Sequence, residues 1–214
     1  MPEVDEKKWR RRSDARPGEL TAAAFTLFAE QGFAATRLED VALRAGVSKA
    51  TIYRYFENKE ALFAAVINDA VAPRFAEAEI LLDDFAGSSE DLLRTFFKII
   101  RRGLAGPFPP MVKLVISESG NFPELAQLWV ELVVKKVFGL VGKIIARGVK
   151  EGEFRPVDVP ATVPLVAAPV FMLAVVKQTF AVTQLPMDED AVLSAHLDFL
   201  LRGLRTEKNG DFES

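Results

Sequence analysis

Residues 46–62, GVSKATIYRYFENKEAL, decide how the rest of this 214-residue chain is read. Gly46 lies between Ala45 and Val47, where a left-handed glycine can stop one helix and redirect the chain within a few residues. Ser48 is placed to cap a new helix. Ile52 and Phe56, four apart, share a face and anchor that helix on its predecessors, so Lys49, Thr51, Tyr53, Arg54 and Tyr55 are left to project. A helix of two turns is marginal alone, and tertiary packing must hold it. Asn58 caps the next helix at NKEAL and offers Lys59, with free backbone N–H groups, to an anion.

Upstream, Pro17 suits a first helical position, and ELTAAAFTLFAEQG puts Leu20, Ala24, Leu27 and Phe28 on one face before Gly32 stops the helix. Thr36 opens TRLE, which reads as a capping box: the threonine accepts from the Glu39 N–H while the glutamate reaches back. Leu38, Val41, Ala42 and Ala45 supply the inward face of this second helix. Two helices joined by a tight glycine turn, with cations and hydroxyls on the outer face of the second, make a helix-turn-helix whose second helix fits a DNA major groove. Lysine, threonine and tyrosine suit phosphate oxygens, which set register, and Arg54 or a threonine can reach base edges. Ahead of these helices, Lys7, Lys8, Arg10, Arg11, Arg12 and Arg16 stand against the single acid Asp14 in residues 7–16. Such an arm is placed to follow phosphates or enter the minor groove, with Arg10, Arg11 and Arg12 at its centre.

Residues 20–62 resemble the DNA-binding region of the tetracycline-repressor family, bacterial transcription regulators that act as dimers. The likeness rests on an aromatic-rich first helix, the pattern GF-AT at Gly32 to Thr36, VA--AGVS at Val41 to Ser48, and T-Y-YF--KE-L at Thr51 to Leu62. Ala50 stands where the family usually has glycine, a change that leaves the helix intact. The resemblance implies phosphate or base contacts from Thr36, Lys49, Thr51, Tyr53, Tyr55 and Lys59. Arg54 occupies a variable position, and its role is our inference. VISESGNFPELA and GEFRPVD carry a weaker likeness to the family's ligand-binding part.

Beyond Leu62 the composition changes. The fourth helix continues through LFAAVINDAVAPRFAEAEILL, where Pro73 removes a backbone donor and is expected to kink or break it. SEDLLRTFFKIIRRGL forms a fifth helix capped by Ser88 or Ser89, a short helix follows between proline turns, and a long seventh runs from about Pro123 to near Lys150. Residues 159–176 lack any charge, at the lower edge of a membrane-spanning length. Pro160, Pro164 and Pro169 interrupt them and the amino side lacks aromatic and basic flanks, so the segment is read as buried against neighbours or another subunit, with no membrane partner. The last helix, DEDAVLSAHLDFLLRGL, is capped by Asp188 and carries Leu193, Leu197, Leu200, Leu201 and Leu204 as a stripe. The resemblance implies that such terminal helices meet their symmetry mates in a four-helix bundle, with Leu193, His196, Leu197, Leu200 and Leu204 at the dimer interface.

The expected fold is therefore all-α, with about nine helices. Residues 1–16 form a basic flexible arm, 17–57 the helix-turn-helix DNA-binding domain, 58–82 a connecting helix, 83–206 an effector-binding and dimerisation domain, and 207–214 a flexible tail. Phe97, Phe108, Met111, Trp129, Phe138, Phe171, Met172 and Phe180 are candidates to line an apolar cavity for a small hydrophobic effector.

Composition limits the alternatives. The chain has no cysteine and one histidine, His196, which leaves no disulfide, no thiolate site and little for a zinc site or a histidine triad. No glycine-rich phosphate loop or nucleophile–base pair is present, and the acid pairs Asp83-Asp84 and Asp188-Asp190 lie where helix capping explains them, so no enzyme and no cofactor are expected. A net charge of −3 and a charged amino end without an apolar core suit a cytoplasmic protein. The expected function is a homodimeric regulator on double-stranded operator DNA that releases a palindromic site when its effector binds; that it represses rather than activates is what the family resemblance implies. The rival is a helical carrier or interaction protein whose head no longer binds DNA.

Overall fold

A computed structural model describes residues 17–180 and 187–206, so the basic arm with Arg10, Arg11 and Arg12 and the residues 207–214 lie outside the described part. The helices are α1 (Pro17–Ala35), α2 (Leu38–Arg44), α3 (Lys49–Tyr55), α4 (Lys59–Asp84), α5 (Ser89–Leu104), α6 (Phe108–Glu118), α7 (Pro123–Trp129), α8 (Lys135–Lys150), α9 (Val159–Thr179) and α10 (Glu189–Leu204). A π turn at Val130–Val134 joins α7 to α8, so the expected long seventh helix is one run with a single irregular turn. Among the described residues the only extended pairing is an isolated antiparallel bridge between Phe154 and Arg205. The described residues divide into two compact units: residues 17–69 with Leu114–Leu128, and residues 70–113 with 129–180 and 187–206.

In the first unit, Leu20, Ala24, Leu27 and Phe28 form the buried stripe of α1. Gly32 breaks that helix at φ 83° and ψ 170°, a conformation that side chains avoid. The break turns Phe33 inward, where its ring meets Phe28, Phe63 and Phe122 at centroid distances of 5.4, 5.6 and 5.1 Å. Such ring pairs contribute roughly 0.5–1.5 kcal/mol each beyond burial. The Phe33 N–H donates to Glu118 Oε1 at 3.2 Å, which ties α1 to the end of α6.

The second unit packs α5, α8, α9 and α10 on one another. Ser88 caps α5 by accepting from the Asp91 N–H, and the Glu153 carboxylate accepts from the Ser89 N–H at 2.6 Å. After α8 the chain turns at Gly152 (φ 75°) and lays the Phe154 ring on Gly148, where a Cβ would fall 2.1 Å from Phe154 Cδ2. The Arg155 N–H then donates to the Leu204 carbonyl at 2.7 Å, fastening this turn to α10.

Proline does less here than its reputation predicts. Helix α4 runs without a break through Pro73, and α9 through Pro164 and Pro169, with Pro160 in its first turn. One missing donor per proline is tolerated because the rest of each long helix retains its bonds. Helix α9 is also long and apolar enough to cross a membrane by length and composition alone, with 28% of its most apolar window buried. Val163, Val166, Val170, Leu173 and Ala174 face its neighbours, whereas Leu165, Phe171 and Met172 are exposed.

Replacing Gly32 by alanine should cost roughly 1–3 kcal/mol, because the methyl is strained at this φ and lands 2.6 Å from Glu118 Oε1. Urea unfolding of the variant checks this, and an unchanged midpoint would contradict it.

Candidate nucleic-acid interface and apolar cavity

The short helix α3 is seated from below. Ser48 caps it by accepting from the Thr51 N–H, Gly46 turns the chain into it at φ 71°, and Ile52 and Phe56 are 0% and 8% exposed. What remains outside is a polar and aromatic face. Tyr53 and Tyr55 are exposed, the Arg54 guanidinium lies 5.0 Å from the Tyr55 ring centroid, and the Lys49 ammonium lies 5.5 Å from that of Tyr53.

A residue absent from the sequence-based list organises that face. Glu39, in the first turn of α2, accepts from Lys49 Nζ at 2.7 Å and from the Tyr53 hydroxyl at 3.0 Å. These hydrogen bonds, Lys49 first, hold its carboxyl down at about 2. Reciprocally, the contact with Glu39 raises both Lys49 and Tyr53 above their ordinary values. Spacing along one helix could not show this latch, because its halves lie on different helices.

Three sequence-predicted DNA residues turn inward instead. Thr36 is 1% exposed and donates to the Gly32 carbonyl at 2.8 Å, so it neither offers a hydroxyl to solvent nor caps α2. The N-cap of that helix is one residue later, Arg37, whose N–H donates to the Asp40 carboxylate. Thr51 is 8% exposed and shares a 2.8 Å hydrogen bond with the Ser48 hydroxyl. Lys59 donates to the Phe33 and Ala34 carbonyls at 2.6 and 3.3 Å, with its ammonium 4.2 Å from the Phe33 ring centroid. A cation on carbonyls at a helix end is favourable, and burial lowers the pKa of this amine. Asn58 does cap α4, its Oδ1 accepting from the Ala61 N–H.

The second unit holds a partly open cavity of about 300 Å³. Its walls come from α4 (Val71, Phe75, Ala78), α5 (Phe96, Ile99), the π turn (Val133, Val134), α8 and α9. Of the expected lining residues, Phe108, Trp129, Phe138 and Phe171 reach it. Phe97, Met111, Met172 and Phe180 do not: Phe97 packs on the His196 ring at 5.8 Å, Met111 is 1% exposed in the core, and Met172 and Phe180 face outward. The two rings Phe108 and Trp129 lie 5.7 Å apart on the wall. Reasoning from aromatic and methionine content passed over the aliphatic lining, which differs from ordinary core only in what it surrounds.

The expected dimer residues also separate. Leu193 and Leu204 are 4% exposed within the chain and belong to its own core. Leu197 and Leu200 are half-buried, as is His196, whose Nε2 lies 3.3 Å from the Val166 carbonyl and whose pKa burial lowers. Phe199, absent from the predicted set, is 72% exposed.

A glycine-turned helix pair with an outward polar second helix defines a helix-turn-helix regulator, here followed by a helical unit with an apolar cavity. Residues 20–66 match the family model for bacterial regulatory proteins of the tetR family, and residues 82–192 that for the tetracyclin repressor-like C-terminal domain. The chain belongs to this family of transcription regulators. It is 30% identical over 146 residues to the transcriptional repressor KstR2 of Mycolicibacterium smegmatis, covering 66% of this chain and 69% of that one. Its fold is similar to a putative TetR-family regulator from Mesorhizobium loti, with a TM-score of 0.70 at 19% identity over 91% of this chain and 99% of that one. It is also similar to FadR from Bacillus subtilis in complex with stearoyl-CoA, with a TM-score of 0.65 at 19% identity over 88% and 99% of the two chains.

Replacing Glu39 by glutamine should release Lys49 and Tyr53 to phosphates, raising DNA affinity and steepening the log affinity against log salt slope by about one unit. The depressed carboxyl pKa places the latch's contribution fully above the unfolded value of 4.5 and loses it as pH falls through about 2. The latch is therefore intact and invariant across pH 6–8, and titrating DNA binding over that range in both proteins checks the sign. Weaker binding by the glutamine variant would instead make Glu39 a positioning group for the cations.

Proposed function

We propose that the protein is a cytoplasmic homodimeric repressor that holds a palindromic operator and releases it when a small hydrophobic effector enters the cavity. The observation that carries this reading is the outward face of α3, where Lys49, Tyr53, Arg54 and Tyr55 sit on a helix otherwise anchored by Ile52 and Phe56. Phosphate contacts from Lys49 and the tyrosines set the register, and Arg54 reads base edges. The arm residues Arg10, Arg11 and Arg12 add phosphate or minor-groove contacts, so their removal lowers the salt dependence.

The effector reading rests on the cavity. B. subtilis FadR was solved with stearoyl-CoA, a ligand with a long apolar chain, and the aliphatic and aromatic walls here suit an apolar molecule. Helices α4 and α6 each continue from one unit into the other, α4 from Lys59 past Val71 and α6 from Phe108 to Glu118. A ligand that shifts either helix changes the separation of two heads about one DNA turn apart, and by linkage ligand and DNA affinities oppose each other. Dimerisation uses the exposed apolar faces of α9 and α10, with Leu165, Met172 and Phe199 joining Leu197 and Leu200.

Footprinting on the DNA flanking its own gene should show a symmetric protected site that Tyr53→Ala loses. Protection absent at low salt from a folded dimer would favour the carrier reading. Phe199→Glu should yield monomers at micromolar concentration in sedimentation and lose the footprint with them; a dimer that survives would place the interface elsewhere.

A further inference from the structure

Arg74 is the one charged side chain among the described residues that line the cavity. It is half-buried on α4, next to Pro73, and one guanidinium nitrogen donates to the Ala70 carbonyl at 2.8 Å. Among the described residues no carboxylate lies within ion-pair distance of it, whereas Arg94, Arg102, Arg147, Arg202 and Arg205 of the same unit each end on a glutamate or aspartate. The backbone makes room for this guanidinium. A Cβ on Gly106 would lie 2.8 Å from Arg74 Nη2, and one on Gly103 would lie 3.5 Å from Arg74 Cδ and Nε.

We infer that the cavity takes a molecule with an apolar body and one anionic group, and that Arg74 selects it by binding that group. This rests on the effector-cavity reading above. A guanidinium presents a planar fork of donors, and the Ala70 carbonyl occupies only part of it. In a cavity walled by hydrocarbon, a cationic ligand meets repulsion, and a ligand with several charges leaves the excess unpaired and poorly hydrated. A neutral apolar ligand leaves the fork's remaining donors to water. A single carboxylate or phosphate oxygen pair completes the fork with charge-assisted hydrogen bonds while its apolar body fills the walls.

The test uses the full-length protein at pH 7.5, with the uncharged fluorophore N-phenyl-1-naphthylamine as reporter and dodecanoate and dodecanol as competitors. Dodecanoate should displace the reporter at a roughly ten- to a hundredfold lower concentration than dodecanol. Arg74→Gln should abolish that preference and leave dodecanol competition in place, and Arg74→Lys should keep part of it. Gly106→Ala should weaken the preference as well, because its methyl clashes with the movable end of Arg74 and meets the Gly103 carbonyl at an ordinary 3.5 Å, so it displaces the guanidinium without unfolding the turn. If the glutamine variant fails to bind the reporter, Gly106→Ala decides. Equal competition by acid and alcohol in the wild type, or a preference that persists in Arg74→Gln, overturns the charge assignment and leaves the cavity reading standing. Failure of the reporter and both competitors to bind overturns the two together. Dodecanoyl-coenzyme A, whose head carries several phosphate charges, should compete less well than dodecanoate; if it competes better, the restriction to one anionic group is overturned.

Discussion

The placement of Phe33 governs the first unit. Its side chain is fully buried, its ring meets three others, its N–H is held by Glu118 and its carbonyl receives the Lys59 ammonium. All of that depends on Gly32, whose backbone conformation excludes other residues at little cost to itself. The helix that bears the outward polar face, α3, is only seven residues long and could not persist alone. It borrows its order from this aromatic knot through the first two helices, so the exactness of the surface is a property of the core beneath it.

The charge on that surface is managed locally. Glu39 neutralises Lys49 and engages Tyr53 while the protein is free, which limits unpaired cation density on α3. Exposed ion pairs of this kind contribute little to stability, so the pair is better understood through the proposed DNA binding, in which phosphates would compete with a carboxylate for the same donors.

The second unit carries the opposite problem, an excess of apolar surface. Helix α9 buries one side against its neighbours and lines the cavity with Pro164, Val166, Val170 and Phe171. Leu165 and Met172 on α9 and Phe199 on α10 remain exposed as apolar surface. The proposed dimer would cover it. Arg74 sits in the same unit as a lone charge among hydrocarbon walls, held in place by the missing side chain of Gly106.

Local sequence determined the helical architecture. The stops at Gly32 and Gly46, the caps at Ser48, Asn58, Ser88 and Asp188, and the anchors Ile52 and Phe56 each act within a few residues, where spacing and backbone preference are enough to identify them. Tertiary structure decided which polar groups face water. Thr36 and Lys59 look like surface donors in the sequence, yet one turns back onto the Gly32 carbonyl four residues upstream and the other closes the end of α1, where the chain returns from α3. The same return brings Glu39 to Lys49, leaves Leu193 in the core while Phe199 stays outside, and gathers aliphatic residues from distant helices around Arg74. Those outcomes depend on contacts between segments far apart in the chain, and periodicity within a single helix carries no information about them.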